Sequence, residues 1–241
     1  MKFIIGKKIE MTQLWQGENV SAVTKIQAGP CYITQIKTQA SDGYESAQIG
    51  FGAKKEKNTN KPQLGHLKKA KEKGVNDNFA FLREFSIDDQ AKLDVGDRIE
   101  VGTFSAGDKV AVSGISRGKG FQGSVKRHGF SGGRKSHGNK DQLRMPGSTG
   151  ATGAGHVFKG TRKPGRMGGD MVTTKNLEIA EVDQANNILY IKGAVPGARN
   201  SLVLIKAEGD LQISKPVVEQ KAEIKNEEIQ VPVAAGEIKN S

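Results

Sequence analysis

Apolar and polar residues alternate with a period of two along most of the chain, which is typical of β-strands that bury one face. Turn signals at Gly29-Pro30 and Asp42-Gly43 separate the first of these segments. Strands are predicted at residues 19–27, 31–38, 45–52, 79–85, 95–104, 106–116, 171–183, 187–195 and 200–207. Short strands at this spacing predict a mostly β fold, either a closed barrel or a sandwich.

Two further segments interrupt or follow the strand pattern. An insert at about residues 54–78 is polar and basic, and it contains a predicted helix from about Pro62 to Lys73, before a stop at Gly74. Its lysines form either a secondary surface for nucleic acid or a solvated helix face. From residue 208 to residue 241 the chain is rich in Glu and Lys without periodicity, and it is predicted to be a disordered tail.

The longest interruption is the segment 117–169, called here the basic loop. It holds 15 of the 31 glycines and no apolar stripe of helical period, so no helix is expected after Gly123. Strands flank it on both sides, which predicts an insertion in a β domain made of residues 1–116 and 170–207. With so few apolar residues, the basic loop should become ordered only against a partner.

The net charge of the protein lies in this one loop. The formal charge is +11, and residues 117–169 contain twelve Lys and Arg residues but a single acid, Asp141. The rest of the chain carries equal numbers of Lys plus Arg and of Asp plus Glu. A charge that is segregated to this extent indicates a polyanionic partner.

The N-terminal sequence and the cysteine content indicate in which cellular compartment the protein is expected. The sequence "MKFIIGKKIE" has an apolar run too short for a signal peptide, and no stretch approaches the length that spans a membrane. The only cysteine, Cys31, cannot form an internal disulfide and is expected to be a small buried residue of a strand. These features predict a soluble intracellular protein without a membrane partner.

The stretch "GKGFQGSVKR" (118–127) matches the glycine patterns of dinucleotide-binding and kinase loops. A dinucleotide fold needs a helix directly after the glycines, and none is predicted here. A kinase needs His-Arg-Asp, Asp-Phe-Gly and Ala-Pro-Glu motifs, and the sequence has none of them. A nucleotide-binding enzyme is therefore the least favoured function, and neither a cofactor nor a small-molecule substrate is predicted.

No catalytic residue and no metal site is predicted. His128, His137 and His156 have no metal-binding spacing and lie among cations, which disfavour a bound metal ion. His128 or His137 is better suited to stack on a base or to bond a phosphate.

Cations interleaved with glycines favour RNA as the partner, because cations neutralise phosphates and glycines let the backbone approach closely. The residues predicted to bind RNA are Arg117, Lys119, Lys126, Arg127, His128, Arg134, Lys135, His137, Lys140, Arg144, Lys159, Arg162, Lys163 and Arg166. Close backbone approach is predicted at Gly118, Gly120, Gly123, Gly147, Gly150, Gly153 and Gly155. Phosphate contacts should dominate over base contacts.

Several motifs resemble the ribosomal protein L3 family of the large subunit. The stretch "SRGKGFQGSVKR" (116–127) fits its signature, and "RMPGSTG" (144–150) and "HVFKGTRKPGRMGGDMVTTKNLEI" (156–179) continue the similarity, which covers roughly residues 1–207. The resemblance implies a β-barrel of the translation-protein type on the outer face of the subunit. It also implies a loop reaching through rRNA toward the peptidyl transferase centre, with its tip near residues 150–155.

The family further implies a structural protein of the cytoplasmic ribosome. Its members bind large-subunit rRNA, support early subunit assembly, contact neighbouring large-subunit proteins and catalyse no reaction. The sequence departs from many bacterial members at the tip, where it has no glutamine to be methylated, and at Leu143, where relatives often have His. The alternative function is a free nucleic-acid chaperone that uses the same loop without a fixed site.

Overall fold

The computed structural model describes residues 1–75, 77–87 and 93–214. The strands are β1 Lys2–Gln16, β2 Asn19–Ala28, β3 Cys31–Lys37, β4 Ser46–Lys54, β5 Asn78–Ser86, β6 Arg98–Ile99, β7 Lys109–Ile115, β8 Phe121–Gln122, β9 Gly165–Arg166, β10 Met171–Asp183, β11 Ile188–Lys192, β12 Leu202–Ala207 and β13 Ile213–Ser214. The helices are α1 Gln39–Asp42, α2 Lys61–His66, α3 Lys68–Glu72 and α4 Ser124–His128. Short 3-10 turns occupy Glu56–Asn58, Val101–Thr103 and Thr152–Ala154. No helix within these ranges is long and apolar enough to cross a membrane.

Six strands close into a barrel in the order β1-β12-β7-β10-β11-β2, and every neighbouring pair is antiparallel. The first half of β1 pairs with β12 and its second half with β2, so this one strand completes the ring. Along β12 the alternation places Val203, Ile205 and Ala207 in the core. The predicted mostly β fold with a barrel is confirmed.

A second, five-stranded sheet in the order β13-β6-β3-β4-β5 packs against the barrel. The rings of Phe3 in β1 and Phe85 in β5 stack with centroids 4.7 Å apart and an angle of 10° between their planes. Both side chains are at most 1% exposed and belong to one cluster that spans both sheets. The sequence did not distinguish this additional sheet from the barrel.

The insert packs on the second sheet through a small core, in which its residues Leu67, Ala70 and Val75 contact Phe79 of β5. The helix predicted over 62–73 is two helices, α2 and α3, which meet at the fully buried Leu67. The Phe79 ring packs directly against Gly50 in β4. A Cβ at this position would overlap the ring.

Three other sequence expectations need correction. Strand 95–104 is limited to Arg98–Ile99, because the chain then forms a 3-10 turn that buries Val101 and Thr103. The first predicted strand begins at residue 19, but a strand of 15 residues, β1, precedes it; its far half is exposed and so lacks a one-sided pattern. Ordered structure continues past residue 208, since β13 pairs with β6. The remainder of the predicted tail, 215–241, lies outside the described residues.

The basic loop leaves and re-enters the barrel at one point. Ile115, the last residue of β7, is paired with Met171, the first residue of β10. The 53 residues from 117 to 169 therefore connect two adjacent antiparallel strands, and the barrel is complete without them.

Candidate nucleic-acid interface

The two arms of the basic loop leave the barrel as a narrow antiparallel ribbon, called here the neck (residues 116–123 and 165–170). The Ser116 amide donates to the carbonyl of Asp170 at 2.8 Å, and the Lys119 amide donates to the carbonyl of Met167 at 2.9 Å. Further out, β8 pairs with β9, with Phe121 opposite Arg166. Backbone hydrogen bonds thus hold cations from both arms side by side.

A short helix, α4, follows the neck where the sequence predicts none. The five residues "SVKRH" lie between Gly123 and Gly129, and Gly129 ends the helix in the left-handed conformation at a φ of 74°. Five residues are too few to show a stripe of helical period, so the sequence pattern does not predict this helix. An antiparallel ribbon followed by a five-residue helix is not the strand–turn–helix of a dinucleotide fold, so the glycine pattern does not mark such a site here.

Side chains of α4 tie the two arms together beyond the neck. Arg127 donates from Nη1 to the carbonyl of Lys163 at 2.7 Å, and His128 donates from Nε2 to the same oxygen at 3.1 Å. Arg127, His128 and Lys163 are half-buried, whereas the other eleven residues predicted to bind RNA are exposed.

The cations of the basic loop have no anionic partners in the described part of the protein. The ion pairs found there, such as Lys2–Asp108 at 3.0 Å and Lys37–Glu84 at 2.9 Å, lie on the barrel and the second sheet. None involves any of the twelve Lys and Arg residues of the loop. The loop therefore presents uncompensated positive charge to solvent.

Four of these cations meet at the neck. Arg117, Lys119, Arg127 and Arg166 line a cleft of about 480 Å³, whose only carboxylate is Asp170. Like charges this close repel one another, so an anion in the cleft would relieve the repulsion. The forked donors of the three arginines suit the oxygens of a phosphate.

The glycines divide into two groups. A Cβ placed at any of the seven glycines predicted to approach RNA would have nothing within 4 Å in the described protein. These positions are open to a partner, and their role stays a prediction. The glycines that pack tightly inside the loop are others, which the sequence did not single out: at Gly132 a Cβ would overlap the Leu143 carbonyl, and at Gly168 it would overlap the Arg117 carbonyl.

One histidine and two phenylalanines of the basic loop have ring contacts or exposed ring faces. His156 donates from Nδ1 to the Ala154 carbonyl at 2.7 Å and meets the Phe158 ring edge-on at 5.2 Å. Within the described ranges no three His, Cys, Asp or Glu side chains gather to hold a metal ion. Phe121 and Phe158 are 76% and 62% exposed, which leaves their rings available for stacking on bases.

The sequence is similar to a known protein family and to several of its members. The family model described as "Ribosomal protein L3" matches residues 75–187, which include the whole basic loop. The "Large ribosomal subunit protein uL3" of Desulfitobacterium hafniense is 49% identical over 206 residues, 85% of this chain and 95% of that relative. Those of Chlorobium limicola and Pelotomaculum thermopropionicum are 47% and 46% identical, over 85% of this chain and 98% and 96% of the relatives. With its barrel, its motifs and this similarity over nearly the full length of the relatives, the chain belongs to the ribosomal protein L3 family.

Proposed function

We propose that this protein is a structural constituent of the large ribosomal subunit that binds large-subunit rRNA through its basic loop. The observation that carries the proposal is the segregation of charge. The net charge of +11 equals that of residues 117–169, whose cations have no ion-pair partners among the described residues. The names of the relatives support the same role.

The loop has the physical properties that rRNA demands. Exposed Lys and Arg side chains neutralise phosphates and release counterions, which gives sequence-independent affinity. Open glycines allow the backbone to lie against a crowded RNA surface. Outside the loop the numbers of Lys plus Arg and of Asp plus Glu are equal, so the barrel body is suited to remain on the outer face of the subunit, next to neighbouring proteins.

Membership of the L3 family supports a more detailed proposal for the path of the loop and the role of the protein. Residues 117–169 thread through rRNA toward the peptidyl transferase centre, with the 3-10 turn Thr152–Ala154 at the tip. The protein acts in the cytoplasmic ribosome, supports early assembly of the subunit and has no catalytic activity. Its domains are the barrel body of 1–116 and 170–207, the basic loop, and a C-terminal segment after residue 207, in which β13 pairs with the second sheet.

Sedimentation of the tagged full-length protein from a cell lysate, followed by a high-salt wash, tests this function. Stoichiometric retention on the large subunit is expected, because a loop buried in rRNA is shielded from salt. Recovery in light fractions, or release by modest salt, would contradict a buried structural role and would favour a free nucleic-acid chaperone.

A further inference from the structure

The basic loop contains a second cavity, distinct from the cleft at the neck. Residues 129–147 turn back on themselves around a cavity of about 660 Å³ that is open to solvent and lined mostly by exposed residues. The Gly133 amide donates to the Leu143 carbonyl at 3.0 Å, and Asn139 donates from Nδ2 to the Arg134 carbonyl at 2.6 Å. These two bonds close the turn around the cavity.

The lining of this cavity does not suit a phosphate. Its apolar part consists of Phe130, Met145 and Pro146. Arg134 is the only Lys or Arg among its lining residues, whereas four line the cleft at the neck. Mixed apolar and polar walls are expected of a site that receives a flat, partly polar ring rather than a compact anion.

Two amide side chains offer hydrogen bonds to such a ring. Gln142 lines the cavity, and its side chain makes no hydrogen bond within the described part of the chain. Asn139 uses Nδ2 for the Arg134 carbonyl and keeps its Oδ1 as a free acceptor. A carboxamide places a donor and an acceptor in one plane, which matches the N6 and N7 atoms of adenine. Phe130 and the guanidinium of Arg134 are flat groups of the kind on which unpaired bases stack.

We propose that the cavity of residues 129–147 binds one unpaired adenine base of RNA, with Gln142 reading its edge and Phe130 contributing a stacking surface. This inference rests on the proposed function and refines it. The sequence predicts that phosphate contacts dominate over base contacts, whereas this part of the loop has the side chains to select a base. Phosphate binding is concentrated instead at the neck and on the exposed cations.

Fluorescence anisotropy of the full-length protein with labelled single strands about ten nucleotides long tests the proposal. One probe is oligoadenylate, and the other carries purine riboside, which stacks similarly but lacks the 6-amino group. The wild-type protein should bind oligoadenylate about fivefold more tightly, the lower limit for one good bidentate contact. Gln142→Leu should abolish this preference, and Phe130→Ala should weaken both probes.

Lys135→Gln is the matched control, since Lys135 is exposed beside the cavity and does not line it. It should weaken both probes equally, keep the preference for adenine, and lower the salt dependence of binding. Equal binding of the two probes by the wild-type protein, or a preference that survives Gln142→Leu, would overturn the adenine site. The Lys135→Gln result tests RNA binding by the loop independently, so failure of the adenine site is distinguishable from failure of the proposed function. Circular dichroism of each variant verifies the fold.

Discussion

The guanidinium of Arg127 donates a hydrogen bond to the carbonyl oxygen of Lys163 at 2.7 Å, which joins two points 36 residues apart in the basic loop. Arg127 also contributes its charge to the cleft at the neck. One side chain therefore both holds the two arms together and faces the expected phosphate. This double role separates Arg127 from the exposed cations farther along the loop.

Arg127→Gln should weaken rRNA binding more than Arg144→Gln does, although each removes one charge, because Arg144 is exposed and lines neither the cleft nor the cavity. Both variants should reduce the salt slope by a similar amount. Only Arg127→Gln should also speed amide hydrogen exchange around residues 163–168, because a charged hydrogen bond of roughly 1.5–3 kcal/mol is lost. Equal exchange in the two variants would show that the bond to Lys163 does not hold the arms.

Gly168→Ala should destabilise the base of the loop. Gly168 has a φ of +75°, and a Cβ there would overlap the Arg117 carbonyl. Gly160→Ala is the control, because Gly160 has a φ of +88° but nothing within 4 Å of a Cβ. Both variants carry backbone strain of about 1 kcal/mol or more, and only Gly168→Ala adds the clash. Limited proteolysis should cut the neck of Gly168→Ala faster; equal cleavage of the two variants would refute the packing at Arg117.

Phe85→Ala should lower the free energy of unfolding by about 3–5 kcal/mol, since it removes the ring that stacks on Phe3 between the barrel and the second sheet. Phe81→Ala, in the same strand, should cost much less because Phe81 is 38% exposed. Urea unfolding measures both losses. Similar losses would mean that the two sheets do not share the core described above.

Because the Cys31 thiol is buried, the free energy of unfolding should depend on pH above pH 9. Burial raises its pKa from 9.0 to about 12, so the folded protein keeps the thiol protonated where the unfolded chain ionises. The stability that this thiol contributes is complete below pH 9 and is lost, at about 1.4 kcal/mol per pH unit, as the pH rises from 9 toward 12. The stability difference between wild type and Cys31→Ala should therefore shrink over this range. A difference that stays constant with pH would contradict the assigned burial.

The strands were predictable from sequence where only one face is buried. Val203, Ile205 and Ala207 alternate with less buried neighbours, and this period is visible without a structure. The far half of β1 was not predictable, because Met11 and Trp15 are 51% and 65% exposed and leave no one-sided pattern.

For the candidate site, composition and charge predicted which residues can bind RNA. They did not predict which of these residues lie next to one another in the folded loop. The cleft at the neck depends on the pairing of Phe121 with Arg166, and the cavity depends on the bond from Gly133 to Leu143. Such contacts between distant residues follow from the path of the chain. No periodicity in an irregular, glycine-rich loop encodes that path.

The barrel closes without the basic loop, so the loop can be removed to test the central claim. Because Ile115 and Met171 are paired, a short glycine-containing turn can replace residues 117–169 and leave the barrel intact. Circular dichroism and urea unfolding of this variant verify that the barrel persists.

The most direct measurement is the salt dependence of binding to deproteinised large-subunit rRNA, with and without residues 117–169. If the loop neutralises about 8 phosphates, the log–log slope for the full-length protein should be roughly −6. The variant without the loop should show a slope close to zero together with a large loss of affinity. An unchanged slope after removal of the loop would contradict the account, because phosphate binding would then belong to the barrel.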